Sequence, residues 1–221
     1  MNQSVVFLKN MTRWDSIYRQ KGRNYVSSLE YVPELLTLFK ENMVRRVLDL
    51  GCGSGKHMAY LANNGFEVYG IDSSEEAINL AKAHFGENRL EGNFRVGSMY
   101  QKLPYEDGFF DAAISFRAIY HAGIDEIRNA VKEIERTLRP YGLVFITVRK
   151  KTPNSTMSQH EMLDSRTYVP MEGEETGVVH YAFNKELLRK EFRRFKIECV
   201  RVDSGKERWE RYYCLIGKLK R

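Results

Sequence analysis

Asp49-Leu50-Gly51-Cys52-Gly53-Ser54-Gly55 places three glycines at alternate positions behind an acidic residue. Glycine accepts left-handed backbone and lets a ligand touch the main-chain N–H groups, whereas a tight turn alone needs one glycine or two. Two histidines stand where proton transfer is conceivable: His121, closing Ser115-Phe116-Arg117-Ala118-Ile119-Tyr120-His121, and His180 in Val178-Val179-His180-Tyr181. An imidazole titrates close enough to neutrality to act as a base. Each also has a plainer role open to it, His121 as a cap or surface residue at a helix start and His180 as a structural residue on an alternating strand. Cys52, Cys199 and Cys214 fit no paired metal-ligand spacing, so no metal is expected, and their odd number argues against a disulfide framework.

These residues have to be positioned by elements, and the chain between 45 and 148 alternates short strand-like runs with helical patterns, as a parallel sheet covered on both faces requires. Arg46–Leu50, Glu67–Ile71, Asn93–Val96, Phe110–Ile114 and Leu143–Val148 read as strands. Lys56–Asn64, Ser74–His84 and Asp125–Leu138 read as helices, and another is expected over Tyr31–Lys40 with Leu35, Leu36 and Phe39 inward. Ser73 and Ser74 suit an N-cap, with Glu75 and Glu76 favoured in the first turn by the helix dipole. Lys150 to Thr176 is polar, without periodicity, and too long for an ordinary connection, so it reads as a substrate cover. A helix over Asn184–Phe192 and two strands, near Lys196–Val202 and Arg211–Lys218 and joined around Asp203-Ser204-Gly205, are expected to close the sheet with an antiparallel pair.

The glycine segment resembles motif I of the class I S-adenosylmethionine (SAM)-dependent methyltransferases. Val68-Tyr69-Gly70-Ile71-Asp72 is similar to that family's second strand, Leu103-Pro104-Tyr105 with Phe110-Asp111 to the entry into the fourth, and Ile134 to Leu143 to the helix end and Pro–Gly turn before the fifth. The resemblance implies an α/β fold, a single Rossmann-like doubly wound sheet of about seven strands, mostly parallel with an antiparallel C-terminal strand. It implies one domain over 1–221: an N-terminal helical cap (1–44), a cofactor-binding core (45–149), a cover insertion (150–183) and a C-terminal helix and strand pair (184–221).

It also implies a cofactor site. Asp72 is expected to hold the ribose hydroxyls, since a diol needs a two-oxygen acceptor at the tip of the second strand. Its plainer role is an N-cap for the helix that follows. Asp49 is placed near the methionine end, with its hydrogen bonds expected from the N–H groups of the Gly51, Cys52, Gly53 and Gly55 loop. Ser73 joins Asp72 on the ribose side. Many members carry an acid after the third strand, where this chain has Gly97-Ser98-Met99, so Ser98 or the Met99 backbone would meet adenine. Phe116 and Arg117 are cofactor-side candidates. Tyr120 and His121 face the acceptor, with His121 a base for acceptors that lose a proton. Trp14 and Tyr18, four apart on one helical face, resemble a segment that folds over SAM, and aromatic faces suit a sulfonium. Packing onto the sheet edge explains that pair equally. In the cover, His160, Met162, Tyr168, Met171, His180 and Tyr181 are candidates for the acceptor pocket.

Composition bounds the partners. The chain has 221 residues, 43% of them hydrophobic, 29% charged and 12% aromatic, enough for a core and unlike a disordered or membrane composition. The only N-terminal apolar patch is Val5-Val6-Phe7-Leu8, and no run approaches the length of a membrane span. A cytoplasmic monomer or homodimer is expected, acting on a small molecule and not at a membrane. Residues 185–221 hold thirteen Lys and Arg against six Asp and Glu, within a net charge of +6. That basic segment, in which Lys206-Glu207-Arg208 and Glu210-Arg211 alternate in sign, leaves RNA as an alternative partner. A non-catalytic SAM-binding subunit is the other alternative. A nicotinamide dehydrogenase is disfavoured, because Lys56 stands where the third glycine of the dinucleotide fingerprint belongs.

Overall fold

Side-chain alternation along the strands decides which helices cover which face. Val47 packs with Leu35, Phe39, Met58, Ile78 and Phe85, while Leu48 and Leu50 pack with Ile127, Ile134, Leu188 and Phe192 on the opposite side. Both faces of the central strands are therefore buried, as a doubly wound sheet demands. The computed structural model describes residues 13–24, 31–150, 159–203 and 212–221. The 5–8 apolar patch, the turn at 204–205 and the alternating charges of 206–211 lie outside the described residues, as does the 151–158 part of the cover.

Helix α1 covers residues 13–21, followed by α2 (Val32–Glu41), β1 (Arg46–Leu50), α3 (Lys56–Ala62), β2 (Glu67–Asp72), α4 (Glu75–Glu87), β3 (Asn93–Val96), β4 (Phe110–Ser115), α5 (Ile124–Thr137) and β5 (Leu138–Arg149). Then come β6 (His160–Met162), β7 (Thr167–Pro170), β8 (His180–Tyr181), α6 (Lys185–Glu191), β9 (Phe195–Asp203) and β10 (Tyr212–Leu219). The seven-stranded sheet has the order β3-β2-β1-β4-β5-β10-β9. The β1–β5 pairings are parallel, and β10 runs antiparallel to both β5 and β9. Strand order reverses between β1 and β4, and the crevice beyond their C-terminal ends is where a ligand belongs in such a sheet.

The fold class matches the expectation, with differences that have local causes. β5 begins at Leu138, before the Pro140–Gly142 turn, because Phe110 pairs with Leu138 before the register shifts and resumes at Ala112 with Leu143. The second half of the cover is a three-stranded antiparallel sheet, β6-β7-β8, in place of an irregular stretch. Its strands have two to four residues, too short for alternation to reveal. Asn184 caps α6 by accepting from the Leu187 N–H, and Ser74 caps α4 by accepting from the Ala77 N–H. Among the described residues no helix is long and apolar enough to cross a membrane.

Candidate active site

The glycine loop leaves β1 and is tied to β2. Gly51 and Cys52 both donate their N–H groups to the Ile71 carbonyl, at 2.8 and 3.2 Å. Gly53 donates to Asp72 Oδ2 at 2.9 Å, and Ser74 N–H to Asp72 Oδ1 at 2.9 Å. Two positions require glycine. At Gly51 (φ +75°) a Cβ would stand 2.4 Å from the Ala118 Cβ, and at Gly53 (φ +53°) 2.3 Å from the Tyr18 hydroxyl. Asp72 thus clamps the loop to the start of α4; Ser74, not Asp72, is the cap. Burial pushes the Asp72 carboxyl up to about 6, against its backbone donors and with nearby Asp15 adding to the rise. Ser73 is half-buried beside it.

Asp49 departs from expectation. The loop N–H groups that were to satisfy it are spent on Ile71, Asp72 and, for Gly55, the Cys52 carbonyl, and neither Asp49 oxygen has a hydrogen-bond partner. Burial, and then the charge of Asp72, push its carboxyl up to about 8. An orphaned buried polar group costs about 1–3 kcal/mol, and more when charged, so this position favours a ligand that brings its own cation. An amino-acid ammonium fits it.

On the far side of β2, Ile71, Arg95, Val96, Gly97, Ser98, Gln101, Lys102 and Pro104 line an open cavity of about 350 Å³. Ser98 is buried, its Oγ accepting from the Tyr100 N–H at 3.1 Å. The methyl end of Met99 lies against Gly51. Met99 therefore borders the loop, while the Ser98 oxygen is already engaged by its own turn.

At the tip of β4 two neighbouring candidates part company. Phe116 stacks on His57, ring centroids 3.9 Å apart and 9° from parallel, and touches Phe145, so it packs into the core that includes Cys52. Arg117, at φ +50°, donates its N–H to Thr147 Oγ1 and lays its guanidinium 4.3 Å from the centre of the Tyr212 ring. Its charge is directed toward β10. His57 was not singled out from the sequence; as an isolated histidine behind the glycines it carries no pattern.

Helix α1 bridges the two ends of the crevice. Tyr18 reaches Gly53, Trp14 stands 4.9 Å from the His121 ring, and the two aromatics are 6.4 Å apart. Asp15 Oδ1 accepts from Ser74 Oγ at 2.6 Å and from the Glu76 N–H at 3.1 Å, fastening α1 to the start of α4. On its other flank Lys21 pairs with Glu174 at 2.6 Å, so α1 and the β7–β8 loop meet.

Beneath that junction the structure brings His121 and His180 together, with ring centres 4.8 Å apart. The Tyr181 N–H donates to the Tyr120 carbonyl, which fixes β8 against the β4 tip. Between the two imidazoles lies Glu175, with Oε2 2.7 Å from His180 Nε2 and Oε1 3.9 Å from His121 Nε2. Arg149 comes within 3.5 Å of the same carboxylate. Burial, and then the neighbouring His180 and Arg149 charges, lower His121 to about 3 against the charge of Glu175, which acts to raise it. Glu175 is held well below the carboxylate range: burial acts to raise it, but the His180 hydrogen bond and the charges of His121, His180 and Arg149 outweigh that. Tyr168 stacks on His180, Tyr181 is buried, and His160, Met162 and Met171 are exposed. Sequence reasoning missed Glu175 and Arg149, since one of several glutamates in a polar stretch and an arginine at a strand end give no signal.

Residues 48–146 match the family described as a methyltransferase domain. Over 142 residues the chain is 29% identical to the ubiquinone biosynthesis O-methyltransferase of Xanthomonas oryzae pv. oryzae (strain PXO99A), an alignment covering 63% of this chain and 57% of that one. The chain thus spans a little over half the length of that relative. A Pyrococcus horikoshii OT3 protein of known crystal structure matches with a TM-score of 0.72 at 25% identity, over 94% of this chain and 95% of its own. The fold is also that of the 1,6-didemethyltoxoflavin-N1-methyltransferase of Burkholderia thailandensis, solved with bound 1,6-didemethyltoxoflavin and S-adenosylhomocysteine (TM-score 0.76, 18% identity, 100% of this chain and 92% of that one). Residues 48–146 are thus similar to a methyltransferase domain, and the fold is the Rossmann-like fold of SAM-dependent methyltransferases of known structure.

Proposed function

We propose that this protein transfers a methyl group from SAM to a small molecule held between the tips of β4 and β5, helix α1 and the β6–β8 cover. The observation that carries this reading is enclosure. α1 and the β7–β8 loop meet through Lys21 and Glu174, and Trp14 of α1 stands 4.9 Å from the His121 ring, which supports an acceptor site covered by both segments and suited to a metabolite. A polynucleotide would need that roof removed.

SAM supplies an electrophilic methyl carbon, which the acceptor's lone pair attacks as the carbon–sulfur electrons return to sulfur to give S-adenosylhomocysteine. In this reading Asp49 takes the ammonium, the donor its carboxylate lacks. Asp72 and Ser73 face the ribose, because a carboxylate that already accepts two N–H bonds keeps lone pairs for a diol. Ser98 and Met99 border the adenine side, and Gly51, Cys52, Gly53 and Gly55 let the ligand lie against the backbone. Trp14 and Tyr18 close over the reacting centre and exclude water. Phe116 supports this site from the core, and Arg117 borders the acceptor from the β10 side.

Holding acceptor and methyl donor in line supplies much of the rate, since orientation alone is worth about 7–11 kcal/mol in well-placed intramolecular reactions. His121 and His180 are the catalytic candidates. Burial keeps His121 neutral, so its imidazole has a lone pair with which to orient the acceptor's proton, while at about 3 it is too weak a base to keep that proton without a charged partner. An oxygen acceptor is favoured by the likeness to ubiquinone biosynthesis O-methyltransferase. The organisation follows the same reading: one domain over 1–221, with residues 150–183 as cover.

Incubation of the protein with methyl-labelled SAM and either the small-molecule or the RNA fraction of a cell extract tests this. Label is expected in the small-molecule fraction. Label in RNA alone overturns the reading, and label in neither, from protein that binds S-adenosylhomocysteine, points to a non-catalytic SAM-binding subunit.

A further inference from the structure

We propose that His121, Glu175 and His180 form a binding site for one divalent cation of the zinc, cobalt(II) or iron(II) kind, set in the roof of the acceptor pocket. One ligand atom from each lies within 4.8 Å of the other two. The three come from separate segments: the turn after β4, the β7–β8 loop and β8. The two histidines are buried, at 6% and 0% exposure.

The His180 hydrogen bonds give the cluster its chemical sense. Nδ1 lies 2.9 Å from the Val178 carbonyl, which can only accept, so Nδ1 carries the hydrogen. In the neutral ring Nε2 then presents a lone pair, and it faces a carboxylate oxygen at 2.7 Å. Two acceptors at that distance require a positive charge between them. A second proton on the ring is one answer; a shared metal ion is the other, and His121 Nε2, on the second oxygen of the same carboxylate at 3.9 Å, is positioned to complete it. Ligand bonds of about 2.0–2.2 Å at tetrahedral angles put donor atoms about 3.3 Å apart. The observed 2.7 and 3.9 Å straddle that separation, and with all three ligand atoms within 4.8 Å of one another, side-chain movements totalling about 1.5 Å close the set. The Nδ1–H bond to a backbone carbonyl is the outer-shell contact that metal-bound histidines ordinarily make.

Donor chemistry selects the ion. Two imidazoles and one carboxylate suit zinc, cobalt or iron(II), whereas magnesium and calcium require oxygen shells. Arg149, 3.5 Å from Glu175 Oε2, shares that carboxylate and has to yield it when any dication binds. Three protein ligands leave a coordination position open. On the reading that the acceptor docks here, its oxygen or sulfur would take that position and lose its proton to water, with His121 acting as a ligand. The ion would also pin the cover, through Glu175 and His180, to the β4 tip.

Cobalt(II) titration of the untagged, chelator-stripped full chain, followed by visible absorption, tests the site without any acceptor. Saturation at one equivalent is expected, reversed by zinc and not by magnesium, with affinity at least tenfold weaker in Glu175→Gln and in His180→Gln. Both variants must still bind S-adenosylhomocysteine, which shows that they are folded. No cobalt uptake by wild-type protein that binds S-adenosylhomocysteine overturns the proposal, as does uptake that both variants retain. Failure of the small-molecule reading leaves cobalt uptake intact, and failure of the metal site leaves the labelling experiment intact, so the two are separable.

Discussion

The two ends of the crevice are built on opposite electrostatic plans. At the cofactor end, carboxylates gather without a cation: Asp49 has no partner and is pushed up to about 8, and Asp72 to about 6 with Asp15 beside it. At the acceptor end burial would raise the Glu175 carboxyl, but the His180 hydrogen bond and the charges beside it hold it below the usual carboxylate range. Among the described residues the first end offers Asp49 no donor or cation, whereas the second sets His180 and Arg149 against its carboxylate. The difference predicts that similar carboxyl-to-amide changes act differently at the two ends.

The largest effect is expected at the clamp. Asp72→Ala removes the acceptor for the Gly53 and Ser74 N–H groups as well as the proposed ribose contact, and hydrogen bonds to a charged group are worth about 1.5–3 kcal/mol each. S-adenosylhomocysteine affinity, read by calorimetry, should fall about a hundredfold or more. Gly53→Val should follow, losing at least about tenfold, because its side chain meets Tyr18 and left-handed backbone costs a branched residue about 1–2 kcal/mol.

Asp49→Asn sharpens the comparison, since it should weaken S-adenosylhomocysteine by about 10–100-fold yet raise the melting temperature of the free protein. The sign is set by the raised carboxyl. Unfolded, Asp49 ionises near 3.8; folded, only near 8. The folded state therefore binds more protons between those values, and wild-type stability from this group is full below about pH 4 and declines as pH rises toward 8. The advantage of Asp49→Asn in melting temperature should grow from pH 6 to pH 8.5; an advantage that shrinks contradicts the assignment. Glu175→Gln, at the other end, should change S-adenosylhomocysteine affinity by less than about twofold, for its contacts with His180, His121 and Arg149 lie at the acceptor end. The smallest effect is expected from Lys21→Ala, because an exposed ion pair contributes about 0–1 kcal/mol. A modest acceleration of S-adenosylhomocysteine dissociation, by stopped-flow, would place α1 in the gate.

The same contrast explains what the sequence made legible. The conformation of the glycine loop and the succession of β1 to β5 along the chain could be read because their information is local: backbone conformation at Gly51 and Gly53, and burial alternation over five or six residues. What Asp49 would bond to could not be read, since Ile71 and Asp72 compete for the same N–H groups and only register decides the winner. Phe116 and Arg117 were legible as a position but not as directions, because the left-handed backbone at Arg117 turns its side chain toward β10. The acceptor end is assembled from Trp14, His121, Arg149, Glu175 and His180, whose spacing along the chain has no period. Its strands are shorter than the pattern that would announce them.

Calorimetric titration of the free protein with S-adenosylhomocysteine at pH 7, in two buffers of different ionisation enthalpy and with NAD as control, tests the central claim most directly. The account predicts affinity of about micromolar order, no response to NAD, and release of close to one proton, because Asp49 is mostly protonated in the free protein and ionised against the bound ammonium. Absence of binding by folded protein, or binding that releases no proton and survives Asp49→Asn unchanged, would contradict it.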